Sequence, residues 1–395
     1  MRHKGHVRQR SKGSFEIRYD LGADPLTGKR KTVTSTFKGE RKEAVKELYR
    51  LLRTVDKGAH VESTKLTIDE FLKQWIETVR SQVSPKTHER YSEIVNNYLI
   101  PVFGNCPMLK LTPPIIQKSY NEWETAGRRD KKDGGLAPRT RLHFHRIFRS
   151  ALKHAVELQL IIRNPADFVR PPRPKKTTIA TLTVEQSASL LNGIQNKPIY
   201  WPVLLALTTG MRRGEILALR WKNVDFKEKT IRVVESLEQT KQGIRFKAPK
   251  TERTRAVILP DYAIEKLTSL KKKQADELAE LKIVQSQETL VCCRFDGRPL
   301  WPTSVTHEFV KAIRKLSSLP RIRFHDLRHS HATQLLTAGI HPKIAQERLG
   351  HSTITTTLDL YSHVTTTMQD DAASKLDSAL RTAFESKVKT VPQLG

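Results

Sequence analysis

Arginine and histidine side chains recur at helical spacings in two segments of the second half of the chain. The first segment, TTGMRRGEILALRW, has a helical apolar pattern and carries Arg212 two residues after a glycine. The second, FHDLRHSHATQLLTAGI, carries His325 and Arg328, which would share one face of a helix. Guanidinium groups donate forked hydrogen bonds that suit phosphate oxygens. These three side chains could therefore bind a phosphate and move a proton beside it.

A third segment, LGHSTITTTLDLYSHV, adds another histidine and a nucleophile. His351 follows a glycine that can end a helix, and Tyr361 lies ten residues later. Breaking a phosphodiester without a metal requires cationic donors for the nonbridging oxygens, a nucleophile and an acid for the departing oxygen. The tyrosine hydroxyl has an ordinary pKa of about 10, so it needs nearby cations or a base to attack at neutral pH. The three segments together indicate phosphodiester chemistry at Tyr361.

The charge balance indicates an anionic partner. The 395 residues include 70 Lys+Arg against 41 Asp+Glu, a formal net charge of +29 at pH 7. Nucleic acid and an acidic membrane surface are the two candidates. The basic residues are spread along the chain and do not form a polybasic tail beside an amphipathic helix, which favours nucleic acid. No apolar stretch approaches the roughly 18 residues of a spanning helix, and no secretory signal is seen, so we expect a cytoplasmic protein.

The three cysteines predict neither a disulfide framework nor a metal site. Cys292 and Cys293 are adjacent, and Cys106 lies far from them in the sequence. No Asp/Glu cluster and no phosphate loop of the form GxxxxGK[ST] occurs. We therefore expect a reaction that uses no cofactor, metal or ATP.

The first part of the chain divides into two modules by its patterns. Residues 1–60 combine the strand-like segments SFEIRYD and RKTVTSTF with a helical pattern, which predicts a small antiparallel sheet plus a helix. Its positive charge predicts DNA contact, although a solvated basic face has the same pattern. Residues 66–168 predict a helical domain of four helices, the first of which begins at a capping box of Thr67 and Glu70. The last helix carries basic and imidazole groups that suit a phosphate backbone, namely Arg139, Arg141, His143, His145, Arg146, Arg149 and Lys153.

The remaining chain predicts a linker, a mixed domain and a tail. Residues 169–181 are rich in proline and basic residues, which is typical of an extended linker. Residues 182–385 combine the strand-like segments TIRVVES and TRAVILP with helical patterns, and residues 386–395 form the tail.

With these residues in place, the chain resembles the tyrosine site-specific recombinase family, the integrases of phages and integrative elements. The family's ordered pattern is TGxR, a lysine in a β-hairpin, HxxR, and LGH with a tyrosine nine or ten residues later. The matching residues here occur in that order and are Arg212, Lys250, His325, Arg328, His351 and Tyr361. The resemblance implies a multidomain fold, mainly α with α+β parts. Residues 1–60 resemble an arm-site-binding module, residues 66–168 a core-site-binding domain, and residues 182–385 the catalytic domain.

The resemblance also implies a role for each matching residue. Tyr361 would attack the scissile phosphate, giving a 3′-phosphotyrosine and a free 5′ hydroxyl. His325 would accept the tyrosine proton, and Lys250 would protonate the leaving oxygen. Arg212 and Arg328 would stabilise the charge of the transition state.

Several assignments have alternatives. His351 would either donate to the phosphate or orient Tyr361. Lys241 and Lys247 lie in the same hairpin region as Lys250, and any of the three could contact phosphate.

Four further residues beside the pattern carry less specific predictions. His329 and His331 are expected to brace the helix of the HxxR segment. Glu215 and Asp326 either orient arginines through salt bridges or cap their helices.

Partners follow from the resemblance as well. Double-stranded DNA would be bound at core and arm attachment sites by a homotetramer. Residues 364–385 would form a helix that subunits exchange, although the same helix could fold back on its own domain. A directionality factor (excisionase) and a DNA-bending protein are expected accessory partners, and the cytoplasm of a bacterial host is the expected location.

Two other functions share part of the pattern. A type IB topoisomerase also uses a tyrosine with arginines and a histidine, but the separate N-terminal module and the LGH-to-tyrosine spacing favour a recombinase. A noncatalytic DNA-binding regulator would have no need for Arg212, His325, Arg328 and Tyr361 together. We therefore predict a site-specific DNA recombinase that integrates or excises a phage or mobile element.

Overall fold

The computed structural model describes most of the chain in two compact units, the first ending at residue 176 and the second beginning at residue 177. The described residues are 5–23, 29–56, 66–129, 133–175, 179–248, 254–350, 352–355, 358, 373–374 and 376–384. The fold class is confirmed as mainly α with small sheets. The finer division into five segments stays a prediction. Over these ranges, no helix has the length and apolar character needed to span a membrane.

A three-stranded antiparallel sheet and one helix come first. They are β1 (Gly5–Ser11), β2 (Ser14–Ala23), β3 (Arg30–Lys38) and α1 (Arg41–Asp56), with the sheet order β1-β2-β3. Phe15, Ile17 and Tyr19 alternate along β2 and are buried in one cluster with Ala44 and Leu48 of α1. The predicted hairpin and helix are present. The strand β1 was not predicted, because its sequence GHVRQRS has a single large apolar residue and shows no alternation; pairing with β2 defines it.

The rest of the first unit is helical. Its helices are α2 (Ile68–Val79), α3 (Pro85–Ile94), α4 (Ile100–Phe103), α5 (Pro113–Ala126) and α6 (Pro138–Glu157), with a π-helical turn at Val95–Leu99 and 3₁₀ turns at Met108–Lys110 and Pro165–Phe168. The capping box of Thr67 and Glu70 opens α2 as predicted. Aromatic rings fill the core, where Phe103 stacks on Phe148 with centroids 4.8 Å apart. This packing fixes α6, whose outer face carries most of the predicted basic groups.

The second unit combines helices with two small antiparallel sheets. Its helices are α7 (Val184–Gly193), α8 (Tyr200–Thr209), α9 (Arg213–Ala218), α10 (Asp261–Glu280), α11 (Pro302–Lys315), α12 (Asp326–Thr337) and α13 (Pro342–Leu349). Its strands are β4 (Val224–Asp225), β5 (Thr230–Val233), β6 (Ser236–Thr240), β7 (Gly243–Lys247) and β8 (Arg255–Ile258). The order of one sheet is β4-β5-β8, and β6 pairs with β7 in a hairpin. The strands predicted from TIRVVES and TRAVILP are β5 and β8.

The helix α8 is the centre of this unit. Almost every residue of α8 is buried, and α9 and α12 pack against it. The helical pattern predicted across residues 208–221 is interrupted, because Gly210 ends α8 with φ +66. A Cβ at Gly210 would lie 2.6 Å from Leu349 Cδ2 and 2.7 Å from His331 Cδ2, so the chain needs glycine there for space as well as for its backbone conformation. Arg212 is consequently the N-cap of α9 and not a residue within a helix.

Candidate active site

Arg212 stands at the junction between α8 and α9. Its backbone is extended, with φ −69 and ψ 149, as is usual for the N-cap residue of a helix. Its Nη1 donates to Glu215 Oε1 at 2.9 Å, and its Nη2 donates to the Gly350 carbonyl at 3.3 Å. The side chain is 28% exposed. Arg212 is therefore held on one side while part of its guanidinium faces solvent.

Arg328 lies in the first turn of α12 and is only 3% exposed. Its Nη1 donates to the Gly210 carbonyl at 2.7 Å, and its Nη2 donates to the Leu349 carbonyl at 2.6 Å. Burial, reinforced by the charge of Arg212, lowers the pKa of Arg328 to about 9, and Glu215 opposes that shift. The guanidinium thus stays charged at neutral pH and links the turn after α8 to the end of α13.

His325 is the N-cap residue of α12, one turn before Arg328. The residue is exposed overall, but one side of its ring packs edge-on against His329 with centroids 5.2 Å apart. Desolvation of the ring, with the charges of His329 and Arg328, lowers the pKa of His325 to about 4. Its imidazole is accordingly neutral at pH 7 and able to accept a proton.

The structure brings Arg212, His325 and Arg328 together around the end of α13. Lys250, His351 and Tyr361 lie outside the described residues, so their assignments stay predictions. Of the two alternative lysines, Lys247 is in β7 and forms an ion pair with Glu238, and Lys241 is in the exposed β6–β7 turn.

The two candidate orienting carboxylates behave differently. Glu215 is 2% exposed and binds both Arg212 and Arg255. Burial alone would raise the pKa of Glu215, but hydrogen bonds and charge from Arg255, followed by Arg212, lower it below its usual range. Asp326 instead accepts from the backbone and guanidinium of Arg323 at the start of α12. Glu215 thus orients a candidate catalytic arginine. Asp326 forms a salt bridge with Arg323, which is not part of the family pattern, and among the described residues no side chain caps the first turn of α12.

His331 braces α12 against α8, as predicted. Its Nδ1 lies 2.7 Å from the Leu207 carbonyl, and Arg348 Nε donates to its Nε2 at 3.1 Å. Because a carbonyl only accepts and a guanidinium only donates, Nδ1 carries the proton and the ring is neutral. Burial, with the charge of Arg348, lowers the pKa of His331 to about 4.

Arg255 and Arg348 were missed by sequence reasoning. Arg255 Nε donates to the Arg348 carbonyl at 3.2 Å, and Arg348 Nη2 donates to the Thr208 carbonyl at 2.9 Å. Arg348 directly precedes LGH, but neither residue has a spacing that distinguishes it from the many other arginines of the chain. Only the fold shows that they bridge α8, β8 and α13.

A basic groove lies in the first unit, beside α6. It encloses a cavity of about 510 Å³, whose lining includes Arg146, Arg149 and Lys153. Arg149 Nε also donates to Asp167 at 2.6 Å. Arg141, which was grouped with these residues from the sequence, points elsewhere. It is buried and forms a two-point ion pair with Glu124, because its position on α6 faces the core.

Within the described part of the chain, no group of three or more His, Cys, Asp or Glu residues is arranged to hold a metal ion.

Two family models match the chain. The phage integrase family matches residues 180–368, and the SAM-like N-terminal domain of phage integrases matches residues 67–124. A tyrosine recombinase XerC-like protein of Caldanaerobacter subterraneus is 26% identical over 375 residues, covering 88% of this chain and 92% of its own. The ICEBs1 integrase of Bacillus subtilis is 26% identical over 380 residues, and the match covers 95% of this chain and 100% of that integrase.

Solved structures of two integrases share the fold. The Tn1549 transposon integrase in complex with a circular intermediate DNA has a TM-score of 0.63 at 23% identity and covers 79% of this chain and 99% of its own. A lambda integrase tetramer bound to a Holliday junction has a TM-score of 0.56 at 18% identity and covers 90% and 94%.

Proposed function

Because the chain belongs to the phage integrase family of tyrosine recombinases, we propose that it is a site-specific DNA recombinase that integrates or excises a phage or mobile genetic element. Such an enzyme cleaves and rejoins DNA strands. The observation that carries the proposal is the meeting of two arginines at consecutive carbonyls. Arg328 reaches the Leu349 carbonyl and Arg212 the Gly350 carbonyl, close to the neutral imidazole of His325.

The proposed cleavage step is a transesterification at phosphorus. The Oη atom of Tyr361 forms a bond to the scissile phosphorus while the bond from phosphorus to the 5′ oxygen breaks. The phenolic proton passes to His325, and Lys250 gives a proton to the departing 5′ oxygen. Rejoining reverses these transfers with the 5′ hydroxyl of a partner duplex. The number of phosphodiester bonds is unchanged, so no ATP is required.

The arginines supply the electrostatic part of the mechanism. The transition state carries extra negative charge on its nonbridging oxygens, and forked donors stabilise it. A guanidinium has five N–H donors, and the two backbone bonds of Arg328 use two of them. We assign Arg212 and Arg328 to these oxygens, so that loss of either lowers the cleavage rate more than it weakens DNA binding.

The neutral ring of His325 supports its assignment as the acceptor of the tyrosine proton. A histidine that was already protonated at pH 7 could not take the tyrosine proton, and the lowered pKa of His325 keeps the ring neutral. His351, which follows the carbonyls bound by the two arginines, is assigned to the phosphate or to the orientation of Tyr361.

DNA binding is assigned mainly to the first unit. Residues 66–168 would bind the core site, with the groove of Arg146, Arg149 and Lys153 against the phosphate backbone. Residues 1–60 would bind the arm site through the sheet face opposite α1, where His6 pairs with Arg18 in register.

The working unit is proposed to be a homotetramer on DNA. Within the segment proposed for subunit exchange, residues 376–384 are helical. Their exposed Leu376, Leu380 and Phe384 are spaced by four residues and so share one face, which supports exchange. A directionality factor, a DNA-bending protein and a location in the bacterial cytoplasm complete the proposal.

A suicide substrate tests the chemistry directly. The purified chain should form an SDS-resistant adduct with nicked DNA that carries its crossover site. Tyr361→Phe should abolish the adduct, whereas Tyr262→Phe, which changes an exposed tyrosine of α10, should keep it. An adduct with Tyr361→Phe would refute the nucleophile, and binding without any adduct for the unmodified chain would indicate a noncatalytic regulator.

A further inference from the structure

Arg255 lies in the strand-like segment TRAVILP and is not one of the residues of the family pattern. It opens β8, and its side chain is 10% exposed. Its Nη1 and Nη2 donate to the two oxygens of Glu215 at 3.2 and 2.6 Å, and its Nε donates to the Arg348 carbonyl at 3.2 Å. One guanidinium therefore ties the carboxylate of α9 to the last turn of α13.

The carboxylate held by Arg255 also holds Arg212. Glu215 Oε1 accepts from Arg212 Nη1, and Glu215 Oε2 accepts from the Arg212 backbone N–H at 2.9 Å. Since the two-point bond to Arg255 fixes the plane of the carboxylate, it also fixes the direction in which Arg212 is held. A rotation of Glu215 would turn the Arg212 guanidinium with it.

Arg255 also packs on the residue directly before His351. A Cβ at Gly350 would lie 3.0 Å from Arg255 Cδ and 3.2 Å from its Nε. Gly350 has φ +65 and ends α13. The side chain of Arg255 thus lies against the backbone turn from which the chain continues to His351.

The arginines around Glu215 carry more positive charge than is needed to balance this one carboxylate. Arg212, Arg255 and Arg328 act electrostatically on one another and on a single carboxylate, Glu215. One guanidinium would neutralise Glu215, so three leave an excess of positive charge in a largely buried place. Such an excess is costly without an anion, and a phosphate supplies one.

We propose that Arg255 is a positioning residue for strand cleavage, which acts through Glu215 to aim Arg212 at the scissile phosphate and through the Arg348 carbonyl to fix the turn before His351. The proposal rests on the function proposed above for Arg212. Arg255 itself touches no reacting atom in this assignment.

The test compares Arg255→Met and Arg255→Lys with Arg232→Met, which changes an exposed arginine of the neighbouring strand β5. Single-turnover cleavage is measured at saturating protein on a normal substrate, and DNA affinity is measured separately. Misorientation should slow cleavage by Arg255→Met on the order of 100-fold at unchanged DNA affinity. Arg255→Lys should recover part of the rate, because an ammonium can hold Glu215 but lacks the fork. Arg232→Met should behave as the unmodified chain.

A second substrate separates positioning from a merely structural role. Replacing the scissile phosphate by a methylphosphonate removes the charge that Arg212 stabilises, so the defects of Arg212→Ala and Arg255→Met should both shrink on it. A merely structural defect would lower the cleavage rate by the same factor on both substrates. The inference is therefore overturned if the Arg255→Met and Arg255→Lys defects are the same on both substrates while the Arg212→Ala defect shrinks. Equal defects for Arg212→Ala would refute the proposed role of Arg212, and the inference with it.

Discussion

His331 should make the second unit less stable in mild acid, by an amount that the structure determines. The ring is 6% exposed, and its pKa is about 4 in the folded chain against an ordinary 6.5. The unfolded chain therefore binds more protons, so the stability that neutral His331 contributes is complete above about pH 6.5 and is lost as the pH falls toward 4. The full difference corresponds to about 3 kcal/mol, and roughly 2 kcal/mol of it is already lost at pH 5.

The matched variant is His331→Gln, whose amide can donate to the Leu207 carbonyl and accept from Arg348 without taking up a proton. At pH 7 the variant should be less stable than the unmodified chain, because the amide replaces the two hydrogen bonds imperfectly. From pH 7 to pH 5, however, its free energy of unfolding should fall by less than that of the unmodified chain. The exposed His307→Gln should keep the original pH dependence.

Labelling of Cys292 reports on the second unit alone, because this thiol is buried in its core. Urea unfolding is followed at pH 7 and at pH 5 by the reaction of the exposed thiol with dithiodipyridine, a reagent that also reacts in acid. The mass of the peptide that contains Cys292 then shows how much of this thiol has reacted. If His331→Gln retained the whole pH dependence of the unmodified chain, His331 would not be the group that loses stability on protonation.

Three further predictions concern packing, catalysis and DNA binding. A left-handed backbone strains a residue with a Cβ by about 1 to 3 kcal/mol, and Gly210→Ala should destabilise the second unit by more than this, because its Cβ would also collide with Leu349 and His331. The control is Gly339→Ala, at φ +78, whose Cβ would have no other atom within 4 Å and which should cost only that strain in thermal unfolding. Because the pKa of His325 is lowered to about 4, single-turnover cleavage should stay level as the pH falls from 7 to 5.5, and a fall near 6.5 would contradict the neutral base. Arg146→Gln should reduce the slope of log affinity against log salt by about 0.9 if it contacts one phosphate, whereas Arg232→Gln should leave the slope unchanged.

The motif residues could be recognised from the sequence because their spacings follow local geometry. The three-residue separation of His325 and Arg328 holds on any helix, and Gly350 ends α13 with φ +65, as the glycine before His351 predicted. The pattern around Arg212 was harder to interpret. Its apolar residues have helical spacing on both sides of Gly210, and only the structure shows that α8 ends there, at a left-handed residue whose Cβ would collide with Leu349 and His331.

The sequence by itself determined the family, the order of the proposed catalytic residues and the basic character that fits DNA, because each depends on residue types and on short separations along the chain. The tertiary structure alone decided which charged residues meet. Glu215 and Arg255 are 40 residues apart, and Arg212 and Gly350 are 138 apart, so no local pattern relates them. Their contacts arise because α8 is buried at the centre of the second unit and brings α9, β8 and α13 to one end. There, desolvation of the rings lowers the pKa of His325 and of His331, and hydrogen bonds to the last turn of α13 hold the arginines at the residues before His351.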